Sequence, residues 1–389
     1  IMKDFYFLLI SLILSSCTSA DSEFYEFDPR AIGDDQVFLS DIASDIKYIP
    51  LDNSIPVNRF IDIAFGSNDI IISSADIGLL RYDLAGKLLN RIGSIGRGPS
   101  EYTFYMYFGR DNRTGNVYNL SDRNKTIKVF SKEGHLVRDF KLNEVATPIS
   151  AIIFFNSNIF IQLDMQFDYN DFEWIVCDTF GQVLKTQKRH LPKFSANISG
   201  TGRPYIFDNR ITYYNTWTDT IYSVDKDFQE KPIITVKPGD HRFPRDYVPI
   251  DHIFQKKYFG ITKLIETRRY FLFKYYYQGY TMAFVDKKTW RTSKFQYEWD
   301  ESVGGHPISG MVNDFDSGSW FLPNYYYSWE GDEYLIGIQY PYQIIARAAS
   351  KEFKDSNPIV PSKKLEFEKL AASLKETDNP VLVLVRLKD

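Results

Sequence analysis

Short hydrophobic runs, separated by polar turns, recur along most of the chain. Residues 115–140 (GNVYNLSDRNKTIKVFSKEGHLVRDF) predict a strand that ends at Leu120, a second strand from Thr126 to Phe130, a turn at Gly134 and a third strand. This spacing of strands and turns is typical of an antiparallel meander. The same pattern appears in four other segments, which are residues 68–93, 158–187, 209–236 and 268–297.

The corresponding turns of these repeats are almost evenly spaced. By subtraction they lie 48, 47, 47 and 62 residues apart, at Gly86, Gly134, Gly181, Phe228 and Trp290. The longer last interval indicates an insertion within residues 237–260, part of which, Asp251 to Phe259, predicts a short helix. A period of this length with about four strands per unit is expected of the blades of a β-propeller.

A sixth unit begins at residues 310–328 but lacks a local hairpin, because residues 362–380 follow with hydrophobic residues at helical spacing. Two terminal segments can supply the missing strands. We predict that residues 381–388 form the third strand of this blade and residues 41–52 its outer strand, which would close the ring and remove exposed sheet edges.

We therefore predict an all-β fold, a six-bladed β-propeller of four-stranded antiparallel blades. The propeller is expected over residues 37–389, closed by pairing of N-terminal and C-terminal strands in one blade. Short helical insertions are expected at residues 237–260 and 341–380.

The N-terminal segment predicts export. Residues 5–16 form an apolar stretch of the length of a signal-peptide core, too short to span a bilayer as a helix. The sequence Leu-Ser-Ser before Cys17 resembles a bacterial lipobox, in which the cysteine carries a diacylglycerol. We predict a lipoprotein signal peptide over residues 1–17 and a polar tether over residues 18–36; a plain signal peptide is the alternative.

The repeat at residues 117–140 resembles the blades of NHL-type propellers. The whole layout is similar to the six-bladed β-propeller lipoproteins of Bacteroidetes, on three features: the lipobox, GSIGRGPSEY after the first repeat and the ending DNPVLVLVRLK. The resemblance covers nearly the entire chain. It implies the fold and a lipid-anchored position in the bacterial cell envelope, at the outer membrane, and little chemistry.

Charge and cysteine content limit the classes of partner and site that the chain can have. The chain has 46 Lys and Arg against 50 Asp and Glu, a net charge of −4 with no long block of either sign, which argues against nucleic acid as a partner. Cys177 lies in a hydrophobic strand pattern, and no other cysteine of the mature chain can pair with it. We predict a buried thiol, with no disulfide and no metal site.

The glycine-rich stretch RIGSIGRGPSEYTFY (residues 91–105) lacks the Gly-Lys-Ser/Thr and G-x-G-x-x-G patterns of phosphate-binding loops. We predict that it carries the chain from the rim of blade 1 to the axis of blade 2. Arg97, Glu101 and Tyr102 are candidate ligand-binding residues if this loop lies at the channel mouth. In the alternative interpretation they stabilise the turn, through an ion pair or a carboxylate that accepts backbone N–H bonds.

Other candidates for a channel-mouth site are charged residues at the ends of inner strands and in the turns that follow them. They are Arg110, Asp111, Asp122, Arg123, Asp164, Asp208, Arg210, Arg268 and Asp314. These residues could bind a carbohydrate or an anionic small molecule, or could form a solvated turn surface. Two aromatic clusters, residues 274–280 and 324–334, could stack on sugar rings or pack in the core.

The main functional hypothesis is a binding scaffold for a glycan, a peptide or an envelope partner protein. A Ca²⁺-dependent propeller lactonase, lyase or hydrolase is the enzymatic alternative, although no G-x-S-x-G or H-E-x-x-H motif is present. A structural subunit of an envelope complex is the third. No cofactor is expected outside the Ca²⁺ of the enzyme alternative, and no oligomeric state is predicted.

Overall fold

Six four-stranded antiparallel sheets surround a central channel, which confirms the predicted six-bladed β-propeller. The structure is a computed structural model. It describes residues 25–33, 36–103, 106–121, 125–143, 145, 148–166, 168–197, 202–249, 251, 258–300 and 306–388.

The first three blades follow one another along the chain, and in each the first strand is innermost. Strands β1 (Tyr25–Phe27) and β2 (Ala43–Pro50) precede them, and the pair β7 (Ser94–Ile95) and β8 (Glu101–Tyr102) connects blades 1 and 2. The strands of blade 1 are β3 (Phe60–Phe65), β4 (Asp69–Ser74), β5 (Gly78–Asp83) and β6 (Leu88–Ile92); of blade 2, β9 (Phe108–Arg110), β10 (Val117–Leu120), β11 (Thr126–Phe130) and β12 (Leu136–Lys141); of blade 3, β13 (Ile149–Phe155), β14 (Asn158–Leu163), β15 (Phe172–Cys177) and β16 (Val183–Lys188).

Blades 4 and 5 have the same connectivity. The strands of blade 4 are β17 (Tyr205–Phe207), β18 (Arg210–Asn215), β19 (Thr220–Val224) and β20 (Glu230–Val236); those of blade 5 are β21 (Gly260–Glu266), β22 (Tyr270–Tyr276), β23 (Tyr280–Asp286) and β24 (Thr292–Tyr297), followed by the pair β25 (Trp299–Asp300) and β26 (His306–Pro307). The insertion between these blades contains a 3₁₀ turn at Gly239–His241, and most of the helix predicted at 251–259 lies outside the described residues.

Blade 6 joins the two ends of the chain, as predicted. Its strands are β27 (Tyr325–Trp329), β28 (Asp332–Gln339) and β29 (Val381–Leu387), with β2 as the outer strand. A helix α1 (Leu39–Ile42) leads into β2. The predicted insertion forms α2 (Pro341–Ala349), α3 (Lys351–Lys354) and α4 (Pro361–Ser373), which pack around Phe353 and Phe367.

The turn between the third and fourth strands explains the sequence period. At all five predicted turn positions φ is positive, from +55° at Phe228 to +93° at Gly134. In four of these turns an aspartate carboxylate accepts two backbone N–H bonds from the turn: Asp83, Asp178, Asp225 and Asp286. The repeated feature is therefore one turn conformation per blade, held by a local acceptor.

One part of the predicted tether belongs to the propeller. Strand β1 pairs in parallel with the outer strand of blade 4, and Phe27 is buried with its ring stacked 4.0 Å from that of Phe273. The prediction of a polar tether through residue 36 is wrong here. The hydrophobic positions Tyr25 and Phe27 alternate with Glu26, which is the pattern of an added edge strand.

Hydrophobic clusters fill the spaces between neighbouring blades. The cluster between blades 2 and 3 contains Cys177, whose thiol is fully buried, as predicted. Within the described ranges, no helix is both long enough and hydrophobic enough to cross a membrane.

Candidate functional site

The central channel contains a cavity of about 720 Å³, and residues in or beside the inner strands of all six blades line it. Each inner strand begins at the connection from the preceding blade and ends at the turn into its own second strand. We call the end where these strands begin the upper end of the channel, and the other the lower end.

An ion pair spans the upper end of the channel. Arg203 Nη1 lies 2.5 Å from Asp62 Oδ2, and both side chains are partly exposed to the cavity, by 34% and 25%. Asp62 lies in β3 of blade 1, whereas Arg203 precedes β17 of blade 4, directly opposite in a ring of six. The guanidinium also lies 5.8 Å from the ring centre of Tyr107, which precedes the inner strand of blade 2.

Two inner strands carry β-bulges just before their charged residues. The register of β3 shifts between Phe60 and Asp62, and that of β21 shifts between Ile261 and Lys263. A bulge changes the direction in which the next side chain points. The two bulges therefore contribute to the position of Asp62 and Lys263 at the same level of the channel.

Lys263 and Lys274 are directly opposite each other on β21 and β22, and both point to blade 6. Lys274 Nζ donates a 2.8 Å hydrogen bond to Asn324 Oδ1. Lys263 Nζ lies 3.5 Å from the ring centre of Tyr325, a cation–π contact. Within the described part of the chain, no hydrogen bond or ion pair to the Lys263 ammonium is observed.

The environment lowers the pKa values of both lysines. Burial lowers the pKa of Lys263 to about 8, with the charge of Arg203 acting in the same direction and that of Asp62 against it. Burial and the neighbouring charge of Lys263 lower the pKa of Lys274 to about 7. The pKa of Tyr325 is raised by burial and by the carboxylate of Asp62, so its hydroxyl stays protonated.

The lower end of the channel has a different arrangement, in which buried carboxylates neutralise the cations. Arg110 of blade 2 pairs with Asp69 of blade 1, Arg210 of blade 4 with Glu266 of blade 5, and Arg268 of blade 5 with Glu333 of blade 6. All three carboxylates are at most 5% exposed. Three of the arginines predicted from sequence therefore connect adjacent blades, and of these only Arg110 lines the cavity.

The glycine-rich loop after blade 1 has the geometry of the structural alternative. Glu101 Oε2 accepts a 2.7 Å bond from the backbone N–H of Gly98, while the Arg97 side chain points to solvent. Tyr102 is fully buried; its hydroxyl accepts from Leu79 N–H and donates to the carbonyl of Ile92, both at 2.9 Å. None of the three predicted residues lines the channel cavity.

The remaining candidates are dispersed. Asp111 and Asp164 are buried and accept backbone bonds within their turns, Asp208 lies exposed in a tight turn with φ +47°, and Asp314 accepts two bonds from Ser40. Asp122 and Arg123 lie outside the described residues. The structure therefore does not bring the described members of this set into one site.

The two aromatic clusters have different positions. Residues 324–330 all line the channel, including Tyr325, Tyr327 and the 40% exposed Trp329. By contrast, Tyr275 is buried in the core between blades 4 and 5, and residues 274–280 do not line the cavity.

Sequence reasoning missed Asp62, Arg203, Lys263 and Lys274 because it selected turns and strand ends. A signal was present. Asp62 is the single charged residue of the hydrophobic run FIDIAF, and Lys263 lies in the middle of ITKLIE, where Glu266 is the other charged residue; each run shortly precedes a predicted repeat. A charged position inside the innermost strand of a propeller must face either the channel or a polar contact between blades.

Among the residues that the structure describes, no three His, Cys, Asp or Glu side chains are grouped so that they could hold a metal ion. Lysines, arginine and tyrosines dominate the upper end of the channel. Such groups can bind an anion or donate hydrogen bonds to a polar ligand.

Several solved structures are similar to this chain. A Bacteroides fragilis protein inferred to be exported is 16% identical, with a TM-score of 0.64 over 94% of this chain and 99% of that protein. A member of the DUF4221 family from Bacteroides vulgatus is 10% identical, with a TM-score of 0.47 over 89% and 97%. Virginiamycin B lyase from Staphylococcus aureus is 11% identical, with a TM-score of 0.43 over 75% and 82%. At 16% identity, the likeness to the Bacteroides fragilis protein concerns the fold alone.

No curated protein sequence matches the chain. A family model described as a domain of unknown function, DUF4934, matches residues 25–386, which is nearly the whole propeller with strand β1 included. The chain belongs to the DUF4934 family.

Proposed function

We propose that this protein is an exported propeller that binds a glycan in its central channel. The observation that carries the proposal is the channel cavity itself. Its volume of about 720 Å³ lies within the range typical of ligand pockets, roughly 300–1,000 Å³. Its wall contains Tyr325, Tyr327 and Trp329, side chains that combine an aromatic face with a polar group and so suit sugar rings.

The same proposal includes a lipid anchor at Cys17 in the outer membrane. It is supported by the lipobox-like sequence before Cys17 and by the fold shared with a protein inferred to be exported. Strand β1 begins at Tyr25, eight residues after Cys17. An anchor there would hold the outer edge of blade 4 close to the membrane surface.

Thermal unfolding of the purified protein with a panel of neutral and acidic oligosaccharides tests the function, because a ligand that binds only the folded state raises the melting temperature. We expect at least one oligosaccharide to raise it, and Trp329→Ala to weaken the effect. Phe180→Ala is the matched control, since Phe180 is 72% exposed in a turn of blade 3, away from the channel. Absence of any shift across the panel, or an equal shift in Trp329→Ala, would reject binding in the channel.

A further inference from the structure

The Lys263 ammonium is the starting point, because its contacts differ from those of the cations at the lower end of the channel. There, three arginines each pair with a buried carboxylate. Lys263 faces the cavity with a tyrosine ring as its nearest charge-stabilising contact among the described residues. An ammonium group that has left bulk water for a narrow channel is stabilised by a charged acceptor far more than by a ring alone.

The surrounding charges match one carboxylate group of a ligand. Arg203 and Lys263 carry two positive charges and Asp62 one negative charge, so these three residues leave a net charge of +1. Lys274 adds a further charge only when it is protonated, and its pKa is about 7. A carboxylate carries one negative charge, which neutralises the excess.

From these contacts we propose that the upper end of the channel binds the carboxylate of an acidic sugar, and that Lys263 is the residue that receives it. The inference deepens the proposed glycan function and rests on it. The sugar ring would lie against the wall formed by residues 324–330, which begins next to Lys263 at Tyr325.

The cross-strand pairing of Lys263 with Lys274 supports a role in binding. Two like charges directly opposite each other on neighbouring strands destabilise a sheet, and here neither ammonium pairs with a carboxylate among the described residues. A residue that costs stability in the free protein fits a site whose missing partner is a ligand.

Asp62 acts as an internal competitor in this arrangement. Its carboxylate occupies Arg203 at 2.5 Å and its charge also stabilises protonated Lys263. A ligand carboxylate would enter beside a carboxylate already present, so removal of the Asp62 charge should strengthen binding of the acid. Removal of the Lys263 charge should weaken it.

Calorimetric titration with trigalacturonate and with its fully methyl-esterified form tests the inference, because the two probes differ chiefly in charge. We expect the acid to bind at least ten-fold more tightly than the ester. Lys263→Met should reduce acid affinity by about 10- to 100-fold, the size of a lost charged hydrogen bond. Lys263→Arg should retain most of the affinity, and Asp62→Asn should increase it. Lys141→Met, at an exposed position on β12, is the control and should change nothing.

Equal affinity for acid and ester, or unchanged acid affinity in Lys263→Met, would overturn the carboxylate site. If a neutral sugar then bound in a manner sensitive to Trp329→Ala, the proposed glycan function would stand without it. Failure of both trigalacturonate forms and of the entire oligosaccharide panel would reject the glycan function, and the carboxylate inference with it.

Discussion

Arg203 and Asp62 form an ion pair of 2.5 Å although Arg203 precedes the inner strand of blade 4 and Asp62 lies in that of blade 1, on opposite sides of the channel. Neighbouring blades pack against each other through hydrophobic clusters, whereas opposite blades meet only at the axis. The pair therefore divides the upper opening and sets the charge that Lys263 experiences.

Substitutions in this pair should shift the pKa of Lys263 in opposite directions. Asp62→Asn removes a charge that raises the pKa, so the pKa should fall below about 8. Arg203→Met removes a charge that lowers it, so the pKa should rise. Titration of the lysine ¹³Cε resonances by NMR measures both shifts, with the signal assigned by its loss in Lys263→Met. Shifts of the same sign would show that the charges do not act on Lys263 as described.

Lys263→Met should stabilise the free protein by roughly 2 kcal/mol at pH 7, since relief of the buried charge exceeds the lost cation–π contact. The pKa of Lys263 is lower in the folded state, about 8, than in the unfolded state, where it is ordinary. The increase in the free energy of unfolding should therefore be complete below pH 8 and decline as the pH approaches 10.5. Urea unfolding across this range measures it, and a destabilised Lys263→Met would contradict the account.

The contact between blades 3 and 4 should make stability depend on pH through His190. His190 Nε2 lies 2.6 Å from Glu230 Oε1, and this hydrogen bond raises the pKa of His190. A raised histidine pKa contributes stability that is complete below about pH 6.5 and is lost as the pH rises through the folded value. The free energy of unfolding should fall between pH 6 and 8.

Other ionisable groups share this contact with His190. Burial raises the pKa of Glu173 above its usual value. Burial also acts to raise the pKa of Glu230, but the hydrogen bonds that Glu230 accepts from His190, Tyr213 and Trp174 outweigh burial, so its pKa is lowered. Arg189 keeps its charge, and burial raises the pKa of Tyr222, which stacks on His190. His190→Gln should remove most of the change between pH 6 and 8; an unaltered pH profile in that variant would exclude His190 as its source.

Alanine substitutions at Gly134 and Gly331 distinguish the cost of backbone strain from the cost of steric overlap. Both glycines have similar positive φ values, +93° and +88°. A methyl group on Gly134 would overlap the carbonyl oxygen of Arg91, whereas one on Gly331 would meet nothing within 4 Å. Gly331→Ala should cost about 1 kcal/mol from strain alone, and Gly134→Ala should cost at least twice as much. If denaturant unfolding showed equal losses of unfolding free energy for the two variants, the strand that contains Arg91 would move aside without a free-energy penalty.

The number of blades and their closure could be predicted from the sequence because each depends on local chemistry. The turn at Gly134 needs a positive φ, and residues 381–388 are too hydrophobic to lie on the surface. The site could not be predicted in the same way. Arg203 meets Asp62, 141 residues away, only because six blades close into a ring, and the bulge before Lys263 has no clear signature in its own strand. Arg110, Arg210 and Arg268 were found at strand ends, but their carboxylate partners lie on other blades.

The central claim is that Lys263 receives a ligand carboxylate at the upper end of the channel. The most direct test is NMR titration of Lys263 in three samples: the free protein, the protein with trigalacturonate and the protein with the methyl ester of trigalacturonate. The account predicts a pKa near 8 in the free protein, a clear increase with the acid and none with the ester. A pKa near 10.5 in the free protein, or one that the acid leaves unchanged at saturation, would contradict it.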